Sequence, residues 1–386
     1  MRMMSKSAWR QDLLDRVQAA IRDDIARGRY FGAVIKVARA GNVGLEVAIG
    51  DEGGPGTKPL SLDSVFSIFS TTKAITNVLA FRAIERGELM LTTKVSEVIK
   101  EFSGGIRERI TVFDLLTHSS GLPAVFTPKA GMNIDQLPLI IEAICANVHA
   151  VCEPQERVDY SPLVNHALLG EMVRRADSKG RRYRDIAQQD LFDPLKMTSS
   201  AIGRPERLKA RHVVPVFGAN APTQHLSSRV PGVNGAFEDP EAEMPWVGAV
   251  CSVPDLFRFA EMLRQGGELD GARVLSPAIL QLATRNWTGE KPNELYKAVA
   301  NRAGWRPYPA YMGLGFAIRG HGMHHAIYGT LCSPETFGNY GAGSALFWVD
   351  PVREITFATL SAGVMSQAQN IERFQRICDI VTSAAV

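Results

Sequence analysis

Apolar residues recur every third or fourth position between residues 9 and 28, where Leu13, Leu14, Val17, Ala20, Ile21 and Ile25 stand among charged neighbours. That spacing follows the 3.6-residue period and predicts an amphipathic helix. The pattern then changes. Gly32 to Arg39 is a mostly apolar run, Gly41-Asn42 is a turn pair, and Val43 to Gly50 is apolar again. Together they predict a strand, a turn and a returning strand. Helices are predicted from Ser70 to about Gly87, over 253–266 and over 276–284, and residues 110–235 read as helical segments joined by long loops. Strands return at 345–351 and 354–360, around a turn at Asp350-Pro351, before a final amphipathic helix at about 367–383. Strands at both ends with helices between predict an α+β fold: an antiparallel sheet flanked by helices, carrying a mostly helical insertion. The expected division is 10–88 and 250–383 for the sheet region and 89–249 for the insertion. Loops at 51–60 and 216–247 are rich in Gly and Pro, as surface segments are.

Composition narrows the class. The chain has 386 residues, 45% hydrophobic and 22% charged, which describes a soluble globular protein with ample core. A net charge of +3 gives no reason to invoke nucleic acid or an anionic membrane. No stretch approaches the ~18 uninterrupted apolar residues of a membrane span. The first twelve residues lack the apolar core of a secretory signal. Cys145, Cys152, Cys251, Cys332 and Cys378 are scattered, odd in number and free of any CxxC pair. Reduced thiols and a cytoplasmic location are therefore expected. His321, His324 and His325 lie among glycines without a partnered carboxylate, so no metal site is predicted. Phe347 and Trp348 read as core.

The chemistry gathers in Phe66-Ser67-Ile68-Phe69-Ser70-Thr71-Thr72-Lys73, where an apolar extended stretch turns into a helix. Helical side chains three positions apart share a face, with Cβ atoms roughly 5–6 Å apart. Lys73 is thus one turn from Ser70 and aimed at its hydroxyl. A serine hydroxyl becomes a competent nucleophile when a neighbour takes its proton. A desolvated lysine can do this, because burial lowers the amine pKa. The helix N-terminus also offers N–H groups to a developing oxyanion. Alone, Ser-x-x-Lys reads as an N-cap serine with a solvated lysine. Tyr160 alone reads as a core tyrosine with one hydrogen bond. Their surroundings reverse both readings.

Those surroundings form an ordered set. Ser70 to Lys73 is followed by Thr111-Val112-Phe113-Asp114-Leu115-Leu116-Thr117-His118-Ser119-Ser120-Gly121-Leu122-Pro123 and then by Tyr160-Ser161-Pro162. Next come Leu191-Phe192-Asp193-Pro194-Leu195-Lys196-Met197-Thr198 and Gly267-Glu268-Leu269-Asp270-Gly271. Phe337-Gly338-Asn339-Tyr340-Gly341-Ala342-Gly343 leads into Trp348-Val349-Asp350-Pro351. Over roughly residues 10–383 the chain resembles the serine β-lactamase-like family of class C β-lactamases, D-peptidases and related esterases and transesterases. The resemblance implies a β-lactamase/transpeptidase-like fold. It implies Ser70 as nucleophile, Lys73 as the lysine that helps remove its proton, and Tyr160 as base in acylation and acid toward the leaving group. It also implies backbone N–H groups of Ser70 and Ala342 as oxyanion hole, with Asn339, Tyr340 and Gly341 bordering the substrate. His118 looks like a triad member, but the family pattern gives it a structural role.

Two positions depart from that pattern. The second motif usually ends in Asn, where this chain has Pro162. The third usually begins with Lys, His or Trp and continues with a small residue, where this chain has Asn339 and Tyr340. Loss of the cation and the amide argues against substrates with a free carboxylate. The expected function is therefore a serine esterase or acyltransferase acting on a neutral ester or thioester of a small molecule. It needs no cofactor, and passes the acyl group to water or to an acceptor alcohol or amine. The inserted region and the loop at 216–247 are expected to wall the pocket. A residual β-lactamase or D-aminopeptidase, or a non-catalytic binding protein of the same fold, are the competing readings.

Overall fold

A computed structural model describes residues 8–54, 56–216, 237, 239–342 and 344–386. Its main sheet has six strands. β1 (Gly32–Arg39) and β2 (Asn42–Gly50) form the early hairpin. Four short strands follow: β3 (Val65–Ser67), β4 (Ala201–Ile202), β5 (His212–Val213) and β6 (Ala249–Ser252). A small hairpin, β7 (Glu268–Leu269) and β8 (Ala272–Arg273), comes next. β9 (Ala317–Ile318), β10 (Phe337–Gly341), β11 (Ala345–Asp350) and β12 (Ile355–Ala362) complete the set. The main sheet runs β2-β1-β12-β11-β10-β9, each neighbouring pair antiparallel, while β4-β6-β3-β5 make a second, smaller sheet.

Strand alternation divides the core in two. Ala33, Ile35 and Val37 of β1, Leu346 and Trp348 of β11, and Ile355 and Phe357 of β12 face one side. That side is covered by α1 (Gln11–Ala26) through Leu14, Val17 and Ile21. On the opposite face, Val34, Ala38, Phe347, Val349, Ala358 and Leu360 join the larger core. That core includes α2 (Thr72–Glu85), α3 (Leu137–Asn147), α4 (Val164–Ala176), α5 (Val253–Arg264) and α6 (Pro277–Ala283). Beyond these lie α7 (Glu294–Arg302) and the terminal α8 (Gln367–Ala384), whose Phe374, Ile377, Cys378 and Val381 complete the first face beside α1.

α2 is apolar or buried around its whole circumference: Thr72 to Phe81 are buried without a break. A helix with no solvent face lies inside the molecule. It packs against α4 on one side and β10 on the other, so it belongs to the seam between the sheet and the helical region. The helix begins later than the sequence predicts. Ser70 sits in a 3₁₀ turn, Phe69–Thr71, and α2 starts at Thr72. Within the Gly- and Pro-rich stretch 216–247, residues 217–236 and 238 lie outside the described residues.

Candidate active site

The turn that carries Ser70 is held in an unusual backbone state. Phe69, immediately before it, has φ of 48°. A bulky residue at positive φ costs on the order of 1–3 kcal/mol and persists only where packing over-determines it. Phe69 is 2% exposed and its ring lies 4.7 Å from that of Phe237. The turn leaves Ser70 half-exposed while Lys73, three residues on, is 1% exposed.

The Lys73 nitrogen has three oxygen neighbours. Ser70 Oγ is 3.1 Å away, the Pro162 carbonyl 2.9 Å and the Trp246 carbonyl 3.1 Å. Among the described residues no carboxylate accompanies them, and burial drives the amine well below its ordinary pKa. A neutral amine has two N–H groups and one lone pair. The two carbonyls accept only, so they take the two N–H groups. The lone pair then faces Ser70 Oγ, ready for its proton.

Each carbonyl is fixed by its own scaffold. Thr76 Oγ1 donates to the Pro245 carbonyl at 2.5 Å, and Ala249 N–H donates to Thr72 Oγ1 at 3.0 Å. These bonds pin 245–249 along α2 and present Trp246. Pro162 is positioned from the other side. Ser161 N–H donates to His118 Nδ1 at 3.0 Å, Asp159 N–H to the His118 carbonyl at 2.9 Å, and Asn165 N–H to Ser161 Oγ at 3.1 Å. His118 is buried with φ of 54°, and its pKa is lowered to about 3 by burial and by nearby Lys73. It stays neutral with Nδ1 as acceptor. His118 therefore orders the loop and has no part in a serine–histidine pair.

That loop delivers Tyr160. Its ring lies 4.6 Å from the His118 ring and 5.1 Å from Lys73 Nζ, and its hydroxyl lies beside the Ser70 side chain. Burial, and to a lesser degree Tyr296, raise the phenol's pKa above its usual value. The structure thus brings Ser70 and Lys73, on one turn and helix, together with Tyr160 from a separate loop.

The third motif divides by strand alternation. Gly341 lies on the strand edge against the serine turn: a Cβ there would stand 2.3 Å from the Ile68 carbonyl and 3.0 Å from Thr71 Oγ1. Only glycine allows this approach. It brings Ala342 to the rim of the Ser70 pocket. Asn339 shares that face, buried, with its amide 3.4 Å from the Gly315 carbonyl, which also accepts from Asn77 Nδ2 at 3.0 Å. Tyr340 points the other way, which corrects its expected place beside the substrate. Its ring packs in the core under α8 near Phe374, and its hydroxyl accepts from Asn370 Nδ2 at 3.2 Å. The alternation of Leu346 and Trp348 against Phe347 and Val349 across the paired strand carried this signal. Asn165, Asn77 and the Trp246 carbonyl were invisible in the sequence, because their roles rest on contacts between distant segments.

Beside Ser70 opens a mainly apolar pocket. Its lining includes Phe69, Phe126, Thr127, Ile134, Pro162, Leu163, Phe237, Trp246, Val247 and Ala342. No charged side chain stands among these residues. The insertion and the described end of the 216–247 loop both contribute. None of His321, His324 and His325 lines this pocket: His324 stacks on Tyr308 and His325 on Trp305. Among the described residues no three His, Cys, Asp or Glu converge as a metal site.

Fold and site together define an active-site-serine protein of the β-lactamase type. The beta-lactamase family model matches residues 17–380, and the chain belongs to that family. It is 29% identical over 259 residues to Penicillin-binding protein 4 of Amycolatopsis lactamdurans, covering 64% of each chain, just under two thirds of that relative's length. It is 23% identical over 363 residues to the Esterase/beta-lactamase LipL of Mycobacterium tuberculosis (strain ATCC 25618 / H37Rv), covering 88% of this chain and 78% of that one. A penicillin-binding protein homologue from Caulobacter crescentus superposes with a TM-score of 0.78 at 24% identity, over 97% of this chain and 98% of that one.

Proposed function

We propose that the protein is a serine esterase or acyltransferase working through an acyl-enzyme on Ser70, with a neutral ester or thioester as donor. The observation that carries this is the buried Lys73 amine, with two carbonyls holding its N–H groups and Ser70 Oγ at its third neighbour. Lys73 takes the Ser70 proton, and Ser70 Oγ bonds to the acyl carbon. N–H groups of Ser70 and Ala342 receive the oxyanion. Tyr160, kept as a phenol by burial, hands its proton to the leaving group and regains one from the Lys73 ammonium, so the Ser70 proton ends on the leaving group and no phenolate remains. This assigns the base to Lys73 alone, where the resemblance gave Tyr160 a share, because desolvation opposes the phenolate. An acid and a base whose pKa values are pushed apart by one site are the usual signature of such a division. Water or an acceptor alcohol or amine then takes the acyl group.

The uncharged pocket supports a neutral acyl chain. The relative named an esterase/beta-lactamase supports ester chemistry and motivates nitrocefin as a comparison substrate. The five cysteines, each without a disulfide, support a reducing compartment such as the cytoplasm, and no helix of the described residues is long and apolar enough to cross a membrane. The test is intact-protein mass after brief mixing with p-nitrophenyl butyrate, with nitrophenol release followed in parallel. An acyl adduct in wild type that is absent in Ser70→Ala is expected. Absence of adduct and release, together with no labelling by a fluorophosphonate, would overturn the reading in favour of a binding protein.

A further inference from the structure

Tyr160 begins a file of aromatic rings that the reaction chemistry does not use. Its centroid lies 5.8 Å from that of Tyr296, Tyr296 lies 6.3 Å from Tyr308, and Tyr308 lies 4.9 Å from His324. The tilts along the last two steps are only 27° and 3°, so successive rings are nearly parallel. All three outer rings are half-buried and keep some surface open.

The file is built from anchored pieces. Tyr296 lies in the first turn of α7, which is docked on the Tyr160 segment: Glu294 N–H donates to the Val158 carbonyl at 3.0 Å, and Tyr160 N–H to Asn293 Oδ1 at 3.3 Å. The loop that carries His324 is held through its backbone. Gln375 Nε2 donates to the His324 carbonyl at 2.9 Å, and buried Arg319 donates to the carbonyls of Gly320 and Gly322 at 2.7 and 2.8 Å. The strip is also uncharged, since burial keeps the imidazole of His324 neutral with a pKa lowered to about 4.

Chemistry fixes which part of a substrate meets this strip. The residue that protonates the leaving oxygen must lie on the leaving-group side of the ester. Resting on the acid role given to Tyr160 above, we propose that Tyr296, Tyr308 and His324 form the leaving-group and acceptor subsite, and that it takes planar aromatic alcohols of the phenol class. The apolar pocket beside Ser70, lined by Phe126, Phe237 and Trp246 and by none of Tyr296, Tyr308 and His324, then holds the acyl chain. In acylation the Ser70 oxygen bonds to the acyl carbon and the bond from that carbon to the aryl oxygen breaks. The proton lost by Ser70 is balanced by the one the departing phenol gains. Transfer to an aromatic acceptor is the same step reversed.

Binding of β-naphthol and of its saturated counterpart β-decalol, which has the same ring skeleton and hydroxyl but no π face, tests this without any acyl donor. Ligand-observed NMR titration of the full chain reads both. Wild type is expected to prefer β-naphthol, and Tyr308→Leu and His324→Leu to lower that preference by roughly three- to tenfold, the worth of an aromatic pair. His324→Leu leaves the backbone anchors of its loop in place, so loss of fold does not confound it. Equal binding of the two ligands, or a preference that survives both substitutions, overturns the subsite. Because no acylation is involved, that failure is separate from failure of the acyl-enzyme, which the Ser70 adduct alone decides.

Discussion

At the scale of single residues, the site depends on one lysine being neutral. Among the described residues no carboxylate pairs with Lys73 to hold its charge, and its three polar contacts suit an amine with two donors and one lone pair. The sign of the pH dependence follows. A base must be deprotonated, and its pKa lies well below the ordinary lysine value of about 10.4. Therefore kcat/KM for an ester should rise with pH through that lowered pKa and be level well before pH 10.4. Lys73→Ala should lower kcat by roughly 10²–10⁴-fold. Lys73→Arg should recover nothing at any accessible pH, because a guanidinium does not release its proton. A pH–rate profile of the three proteins checks this, and activity in the arginine variant at alkaline pH would contradict it.

At the scale of elements, catalysis depends on how closely β10 approaches the serine turn. The strand can run past Ile68 and Thr71 because position 341 has no side chain. Gly341→Ala places a methyl group against a backbone carbonyl, so the strand must retreat and take the Ala342 N–H with it. Overpacking of this kind costs about 1–3 kcal/mol. The expected result is a lower Tm together with a lower kcat on p-nitrophenyl butyrate. An unchanged Tm and kcat would show that the strand can yield without moving the site. The same alternation explains Tyr340. An odd-numbered residue of β10 faces the site and an even-numbered one faces α8, so the side chain at 340 serves the core.

At the scale of the whole molecule, the loops around the site are tied down by histidines buried in neutral form. His118 and His212 have pKa values lowered to about 3 and about 4, chiefly by burial, against about 6.5 in an unfolded chain. On acidification the unfolded state takes up protons first, so stability is full above pH 6.5 and falls as pH drops below it. Each contributes about 1.4 kcal/mol per pH unit, His212 down to about pH 4 and His118 to about pH 3, with His324 and His166, also held neutral by burial, acting in the same direction. Asn is a suitable replacement at 118, since it tolerates positive φ and can accept from the Ser161 N–H. Urea unfolding across this range should show the gap between wild type and His118→Asn closing as pH falls. A constant gap would mean that His118 takes up its proton without unfolding.

Local order was legible in the chain. The 3.6-residue spacing of Leu14, Val17 and Ile21 and the apolar runs of β1, β2, β11 and β12 are properties of neighbouring residues, and they sufficed for four strands of the sheet, the helices α1 and α8 that cover it and the pairing of Ser70 with Lys73, while the two-residue β9 was too short to show a pattern. The sequence placed the start of α2 two residues early because the positive φ of Phe69 is imposed by packing, against the residue's own preference. Pro162 marks the sharper limit. As a side chain it lacks the amide that the second motif usually supplies, and the sequence alone reads it as a loss. The fold uses its backbone carbonyl instead. Residue identity is silent about where a carbonyl points, since every residue has one. The oxygens that meet Lys73 belong to residues 89 and 173 positions away, and only the closure of the tertiary structure decided that they converge on one amine.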